Sequence, residues 1–258
     1  MPEHLRALIV ILALACIVFA FARRPATDLI PYSDFTRRRN LWLTLLVLAF
    51  LSHSFWLYAA LAAVVLTIGR QRERNPLALF FILLFLIPPA SLQIPGLGLI
   101  NYLFTLDHVR LLTLLILLPA FFMLRKQAGT LPFGRTWPDK LLTLHIVLSA
   151  LLHLRETTLT DTLRQMLYLF TDVFLPYYVA SRALKQLNEF KDAMLAFALA
   201  AMVLALIGIF EYSRHWLLYS SLIDVMGLNW GMSNYLGRGG SLRASASTGQ
   251  AIVLGYVI

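Results

Sequence analysis

The chain has 258 residues, of which 59% are hydrophobic and 14% are charged, and its formal net charge is +9 at pH 7. Soluble domains carry about a quarter charged residues, so this composition excludes an ordinary soluble domain and indicates a polytopic membrane protein. The positive charge does not indicate nucleic-acid binding, because Lys and Arg lie in short clusters beside apolar runs and no soluble domain is long enough to carry a basic face.

Apolar runs occur at 5–22, 41–69, 77–94, 109–124, 139–153, 163–181 and 192–212, and another begins near 248. Several approach or exceed the ~20 residues that a helix needs to cross ~30 Å of hydrocarbon, and the alternation of a membrane β-barrel is missing. The predicted fold class is all-α. A transmembrane helix bundle is predicted over 1–212, an extracytoplasmic loop over 213–247 and the start of an incomplete transmembrane helix over 248–258.

Charge predicts which breaks share a side of the membrane, because cytoplasmic loops are enriched in Lys and Arg. Three breaks are basic and are predicted to be cytoplasmic: 70–75, 125–140 and 182–191. Alternation then places three other breaks outside: 95–108, 154–162 and 213–247.

The run 41–69 is too long for a simple span, since its 29 residues would extend about 43 Å as one helix. Both of its flanks are basic, and Ser52-His53-Ser54 lies near its middle. We predict a hairpin of two short helices that turns near His53, with both flanks cytoplasmic and the N-terminus outside.

Asp172 lies deep within the run 163–181. A carboxylate there costs ~3 kcal/mol on insertion scales, so it should face protein or water. Arg164, Tyr168 and Asp172 are spaced four residues apart and would share one stripe of a helix. Two interpretations stay open: Arg164 and Asp172 bind substrate in a cavity, or Asp172 pairs with an arginine or hydroxyl group on a neighbouring helix.

The segment 211–230 has aromatic and aliphatic residues at roughly helical spacing, namely Trp216, Tyr219, Ile223, Met226 and Trp230. This pattern predicts a short amphipathic helix at the membrane interface, acting as an anchor or as a lid.

Glycines and two arginines follow, in Gly237-Arg238-Gly239-Gly240-Ser241-Leu242-Arg243. Glycine lets backbone N–H groups approach an anion, and arginine offers a forked donor to phosphate oxygens. Phosphate binding and contact with anionic lipid headgroups both fit this pattern. It is not a Walker A loop, because no Lys-Ser/Thr pair follows the glycines.

Metal-binding motifs are not evident in the sequence. There is one cysteine, Cys16, and no HExxH pattern, while His145 and His153 would lie about two turns apart on a helix, too far to share a metal readily. We therefore predict neither a metal nor a cofactor.

Arg243, Ser245, Ser247, Thr248 and Gly255 place an arginine and several small or polar residues before a glycine one to two turns into the next helix. With the long outer loop before it, this segment resembles the bacterial O-antigen ligase and polysaccharide polymerase superfamily. The stretch 94–112 also resembles members from exopolysaccharide gene clusters.

The resemblance implies an all-helical membrane glycosyltransferase bundle in the bacterial cytoplasmic (inner) membrane, with its functional loop on the extracytoplasmic side. Such an enzyme transfers or polymerises a glycan from an undecaprenyl-pyrophosphate donor onto a glycan, lipid or protein acceptor. Arg243 would be catalytic, by neutralising charge on the pyrophosphate leaving group, and Arg238 would bind the donor. A second outer loop would follow, so the chain would be the N-terminal part of the enzyme and inactive by itself.

Two other functions fit the same residues. A transporter or flippase of a lipid-linked solute would use Arg238, Arg243 and the Asp172 stripe to line a path, although the repeated halves typical of transporters are not evident. A non-catalytic membrane scaffold would tolerate replacement of Arg243. Membrane lipids are predicted partners in every case, and nucleic acid is not.

Overall fold

The computed structural model describes residues 1–96, 101–228 and 242–258, and the backbone alone of 237, 238 and 241. The described residues are mostly helical, as predicted. Three of their helices are long and apolar enough to cross a membrane: Glu3–Thr27, His108–Lys126 and Leu187–Arg214.

The predicted hairpin is confirmed. Helix α1 (Glu3–Thr27) is followed by α2 (Tyr32–Leu51) and α3 (Phe55–Arg70), which pack against each other across a break at 52–54. The Ser54 side chain begins α3 by accepting the Trp56 N–H, so the break has a local cause in an N-cap residue.

The run 77–94 is not one span, contrary to prediction. Helix α4 covers only Pro76–Leu83, begins at an Asn75 cap and ends before the pair Pro88-Pro89. The chain then forms an antiparallel hairpin of β1 (Leu92–Pro95) and β2 (Tyr102–Leu106). Proline cannot donate to a helix and disfavours helical backbone before it, which explains why the apolar run does not continue as a helix.

Two helices contain a π-helical turn that ends two residues before a proline. In the first, α5 (His108–Leu112) and α6 (Leu118–Lys126) flank the turn Thr113–Leu117, before Pro119. In the second, α8 (Leu159–Leu169) and α9 (Leu175–Ala183) flank Phe170–Phe174, before Pro176. A widened turn relieves the clash between the proline ring and the carbonyl four residues earlier, so the helix continues.

Helix α7 (Trp137–Glu156) lies at the periphery with Asp139 as its one buried residue. Helix α10 (Leu187–Arg214) packs against α1 and α4 in the core. After it come α11 (Ser220–Val225), the two-residue strands β3 (Gly237–Arg238) and β4 (Ser241–Leu242), a 3₁₀ turn (Ala246–Thr248) and α12 (Ala251–Val257).

The predicted interfacial helix is shorter than expected and lies inside the protein. Helix α11 packs against α1, and Tyr219, Ile223 and Met226 are at most 5% exposed. Trp216 donates from its indole N–H to the Glu3 carboxylate, 3.0 Å away. The spacing reflects a core-facing stripe, which has the same periodicity as a lipid-facing one. Trp230 lies outside the described residues.

Contacts between chain breaks define two ends of the bundle, and the side of the membrane that each end faces stays a prediction. At the Glu3 end, defined by Glu3, His53 and Trp216, the His4 ring packs against His53 and Arg164 binds the β1–β2 hairpin. At the Arg38 end, defined by Arg38, Glu73 and Asp192, the basic breaks contact one another. There Asn75 donates to the Glu189 carbonyl, and Arg182 binds Asp139.

Candidate functional site

The segment that follows Arg243 is attached to the bundle by a buried carboxylate. Glu211, near the end of α10, is fully buried, and its Oε2 accepts the N–H groups of Ser245 at 3.0 Å and Ala246 at 2.8 Å. Its Oε1 accepts the Leu218 N–H at 3.0 Å. One side chain therefore connects α10 to both ends of the outer loop.

The backbone at Ser245 and Ala246 has the form of an anion-binding nest. Ala246 has a φ of 45°, in the left-handed region that L residues rarely adopt, and Ser245 before it has φ −123° and ψ −18°. This alternation turns successive N–H groups toward one point. Glu211 occupies that point, so the strained geometry at Ala246 serves an internal carboxylate.

Side chains from three parts of the chain contact the carbonyl groups at the broken end of α4. Ser247 Oγ donates to the Phe85 carbonyl, and Tyr219 Oη donates to the Leu86 carbonyl at 3.2 Å. His108, fully buried, contacts the Leu83 carbonyl through Nε2 at 3.0 Å and the Tyr58 hydroxyl through Nδ1 at 3.1 Å. Ser247 and Tyr219 satisfy carbonyls that would otherwise be costly inside an apolar bundle, and His108 adds a second hydrogen bond to the Leu83 carbonyl, which also accepts the Leu86 N–H.

Arg243 is half-buried between Leu242, which is 6% exposed, and the Glu211-bound backbone. It forms no ion pair with any carboxylate in the described parts of the chain. The backbone of Arg238 pairs with that of Ser241 in the β3–β4 ladder, which brings the two arginines to neighbouring positions. The Arg238 side chain lies outside the described residues.

The stripe of Arg164, Tyr168 and Asp172 shares one face of the helix, as predicted, and that face binds the β1–β2 hairpin and α5. Arg164 donates to the carbonyls of Tyr102 at 2.8 Å and Leu103 at 3.0 Å. Its guanidinium carbon lies 3.7 Å from the centre of the Tyr102 ring. Through these contacts Arg164 holds the β1–β2 hairpin, and the N–H groups that make them are not free to bind a ligand.

Asp172 pairs with Arg110 on the neighbouring helix, in the arrangement that the second sequence interpretation describes. The Arg110 Nη2 to Asp172 Oδ2 distance is 2.8 Å, and Arg110 also donates to the Thr105 carbonyl at 2.9 Å. Its guanidinium carbon lies 4.0 Å from the centre of the Tyr168 ring, whose hydroxyl accepts the Thr105 N–H. The Asp172 side chain remains 36% exposed.

The structure does not bring all four predicted site residues into one direct network. Arg164 and Asp172 contact the β1–β2 hairpin and Arg110 and form with them the hairpin cluster, whereas Arg243 belongs to the segment 243–247 that Glu211 attaches at the same end of the bundle. Across the residues that the structure describes, no hydrogen bond or ion pair joins Arg243 to either of them.

Sequence reasoning missed Glu211, Arg110 and His108. A signal for Glu211 was present, because it is a carboxylate inside the apolar run 192–212, where ionisable side chains need a partner. Arg110 and His108 are adjacent to the end of a loop, and their partners lie 62 and 25 residues away along the chain.

The Arg38 end contains a second cluster that the sequence did not reveal. Arg38 donates to both Glu73 and Asp192, and Arg37 donates to Glu73 at 2.7 Å. Burial of Glu73 by itself would raise its pKa, but hydrogen bonds and charge from Arg38, then from Arg37, bring the pKa below its ordinary value. Glu73 is thus held ionised in the turn between α3 and α4.

A metal centre is not apparent: the described residues contain no group of three or more His, Cys, Asp or Glu side chains arranged to hold an ion. Comparison of the chain with protein-family models, curated proteins and solved structures finds no match.

Proposed function

We propose that the chain contributes to a membrane glycosyltransferase of the O-antigen ligase and polysaccharide polymerase type. The activity would transfer or polymerise glycan from an undecaprenyl-pyrophosphate donor during cell-surface polysaccharide synthesis. One observation carries the proposal: Arg243 stands half-buried, without a carboxylate partner in the described residues, beside backbone that Glu211 and Ser247 fix to the bundle.

This geometry suits a leaving group that carries its own charge. When the glycosidic bond to pyrophosphate breaks, negative charge grows on the bridging oxygen, and a preorganised guanidinium stabilises that oxygen without a metal. Fixed backbone matters because stabilisation of this kind requires the donor to be in place before the bond breaks. Arg243 is assigned this catalytic role, and Arg238, on the paired strand, is assigned to the pyrophosphate of the donor.

Arg164 and Asp172 have an indirect role in the proposal. Their contacts with the β1–β2 hairpin and Arg110 support a role in shaping the surface at the Glu3 end, where the donor would bind. Direct contact between these two side chains and substrate stays a prediction.

The proposed setting is the bacterial cytoplasmic membrane, crossed several times, with the Glu3 end outside. Three helices of sufficient length and apolarity support a membrane location. The clustering of basic breaks at the Arg38 end supports a cytoplasmic position for that end, since Lys and Arg near spans favour the cytoplasm.

The test replaces Arg243 by Ala and by Lys in the intact gene, in a strain that lacks its own copy. Glycan transfer to the acceptor is measured together with the amount of inserted protein. We expect Arg243→Ala to lower transfer about 10²–10³-fold, as removal of one oxyanion donor does, with unchanged insertion. Arg243→Lys should recover only part of the activity, because an ammonium cannot form a forked contact.

Arg214→Ala is the matched control, since Arg214 is an exposed arginine near the same end of the bundle and should tolerate replacement. Transfer that persists in Arg243→Ala at the wild-type level would reject the catalytic assignment and favour a scaffold.

A transporter or flippase is the second candidate, because α4 is a short helix whose broken end lies inside the bundle, and such helices are common in transporters. The same variants separate the two functions. If the protein is a flippase, cells with an impaired variant would accumulate lipid-linked glycan in the cytoplasmic leaflet. If it is a transferase, they would accumulate it in the outer leaflet.

A further inference from the structure

The Arg38 end of the bundle contains a cavity that the proposed transfer reaction does not use. Its volume is about 570 Å³, and it lies where the turn between α3 and α4 approaches the ends of α6 and α9. Because Arg243 and the hairpin cluster lie at the Glu3 end, this cavity is a separate site.

The rim of the cavity has an excess of cations that lack internal partners. Arg70, Arg74 and Lys185 line it, and none of them forms an ion pair with a carboxylate of the described residues. Arg74 and Lys185 are exposed and Arg70 is half-buried, so their heads are accessible to a ligand.

The two acidic side chains on the rim are already engaged. Glu73 accepts hydrogen bonds from Arg37 and Arg38 on its other side. Glu189 accepts the backbone N–H groups of Lys185 and Gln186 at the start of α10. Arg37 and Arg38 compensate the charge of Glu73, whereas backbone N–H groups leave the charge of Glu189 in place. Glu189 therefore offsets one of the three cations, and the rim presents net positive charge.

The wall of the cavity is largely apolar. Leu79 of α4 and Ile116 of the π-helical turn are buried and form its floor. Met123 and Leu124 of α6 line its open side, where Met123 is 72% exposed and Leu124 is half-buried. A ligand that fills this space would place an anionic group among the cations and a hydrocarbon portion along α6.

We propose that this cavity binds the phosphate group of an anionic membrane lipid through Arg70, Arg74 and Lys185, with the acyl chains along Met123 and Leu124. Forked arginine donors match phosphate oxygens, and basic pockets between helices at the end of a bundle bind anionic headgroups. The proposal rests on the cavity alone and is independent of the glycosyltransferase assignment.

The test uses the purified full-length protein in nanodiscs of phosphatidylcholine, with and without phosphatidylglycerol, and separately with inorganic phosphate. Native mass spectrometry counts the phosphatidylglycerol molecules that remain bound, and thermal unfolding reports stabilisation. We expect the Arg70→Ala/Arg74→Ala variant to bind phosphatidylglycerol at least about tenfold more weakly, because each charge-assisted hydrogen bond contributes roughly this much. Arg72→Ala is the control, since Arg72 is exposed on the same turn and does not line the cavity.

Three outcomes overturn the proposal: an equal loss in Arg72→Ala, unchanged binding in the double variant, or stabilisation by inorganic phosphate alone without retained lipid. The last would identify a site for a soluble anion. If the double variant does not fold, a photoactivatable phosphatidylglycerol on the wild-type protein decides. Labelling of 70–79 and 116–127 supports the site, and labelling confined to other segments rejects it.

Discussion

Replacement of Glu211 tests the connection between the fold and Arg243 most directly. Its carboxylate is fully buried and accepts three backbone N–H groups, from Leu218, Ser245 and Ala246. In Glu211→Ala all three donors lose their partner, and each unsatisfied buried donor costs about 1–3 kcal/mol. Entry of water into the space would offset part of this loss, so we expect about 3–5 kcal/mol of destabilisation.

Glu211→Gln separates shape from charge. The amide keeps one oxygen, which can still accept the N–H groups of Ser245 and Ala246, but its NH₂ group would face the Leu218 N–H. The expected loss is about 1–3 kcal/mol, less than for alanine, because one donor rather than three loses its acceptor.

Unfolding in detergent measures the stability, and hydrogen exchange at Leu218, Ser245 and Ala246 reports the local contacts. Glycan transfer should fall in both variants, since the backbone beside Arg243 is released. Glu156→Ala serves as the control, because Glu156 is an exposed carboxylate at the end of α7. Wild-type stability and unchanged exchange in Glu211→Ala would refute the role assigned to this carboxylate.

Three further predictions concern the buried and paired side chains. Arg110→Ala should destabilise the protein by about 1 kcal/mol more than Arg110→Ala/Asp172→Ala does, because the single variant leaves Asp172 unpaired. Unfolding of the wild type, both single variants and the double variant measures this difference in a double-mutant cycle, and additive effects would contradict it. His108→Leu should cost about 2–4 kcal/mol and Tyr58→Phe only about 1 kcal/mol. The leucine leaves the Tyr58 hydroxyl without a partner and removes one of the two hydrogen bonds to the Leu83 carbonyl, which keeps that of the Leu86 N–H. Equal losses on unfolding would show that His108 does not hold the broken end of α4. The pKa of Glu73 is lowered in the folded state, so its stabilising contribution is complete above its ordinary pKa of 4.5 and is lost as pH falls through the folded value. Glu73→Gln should make the melting temperature depend less on pH in that window. An unchanged pH dependence would exclude this ion cluster as the source of the acid sensitivity.

The sequence determined the features that depend on local chemistry or on the sum of charges. The break at Ser52-His53-Ser54 followed from the length of the run and its basic flanks, and the structure confirms it. The grouping of basic breaks at one end of the bundle also follows from charge alone. Arg164, Tyr168 and Asp172 share a face, as four-residue spacing on an α-helix predicts, although Asp172 lies in the π-helical turn.

Only the tertiary structure decided which groups meet. Hydrophobicity did not separate the eight-residue helix α4 from a full span, because a helix buried in protein and one in lipid both require apolar side chains. The same ambiguity made the buried stripe of α11 resemble an interfacial one.

The pairing of Asp172 with Arg110, and of Glu211 with Ser245 and Ala246, joins residues that are 62, 34 and 35 positions apart. A buried carboxylate requires a partner, and the sequence shows that requirement. The identity of the partner depends on how the helices pack, which no local pattern encodes.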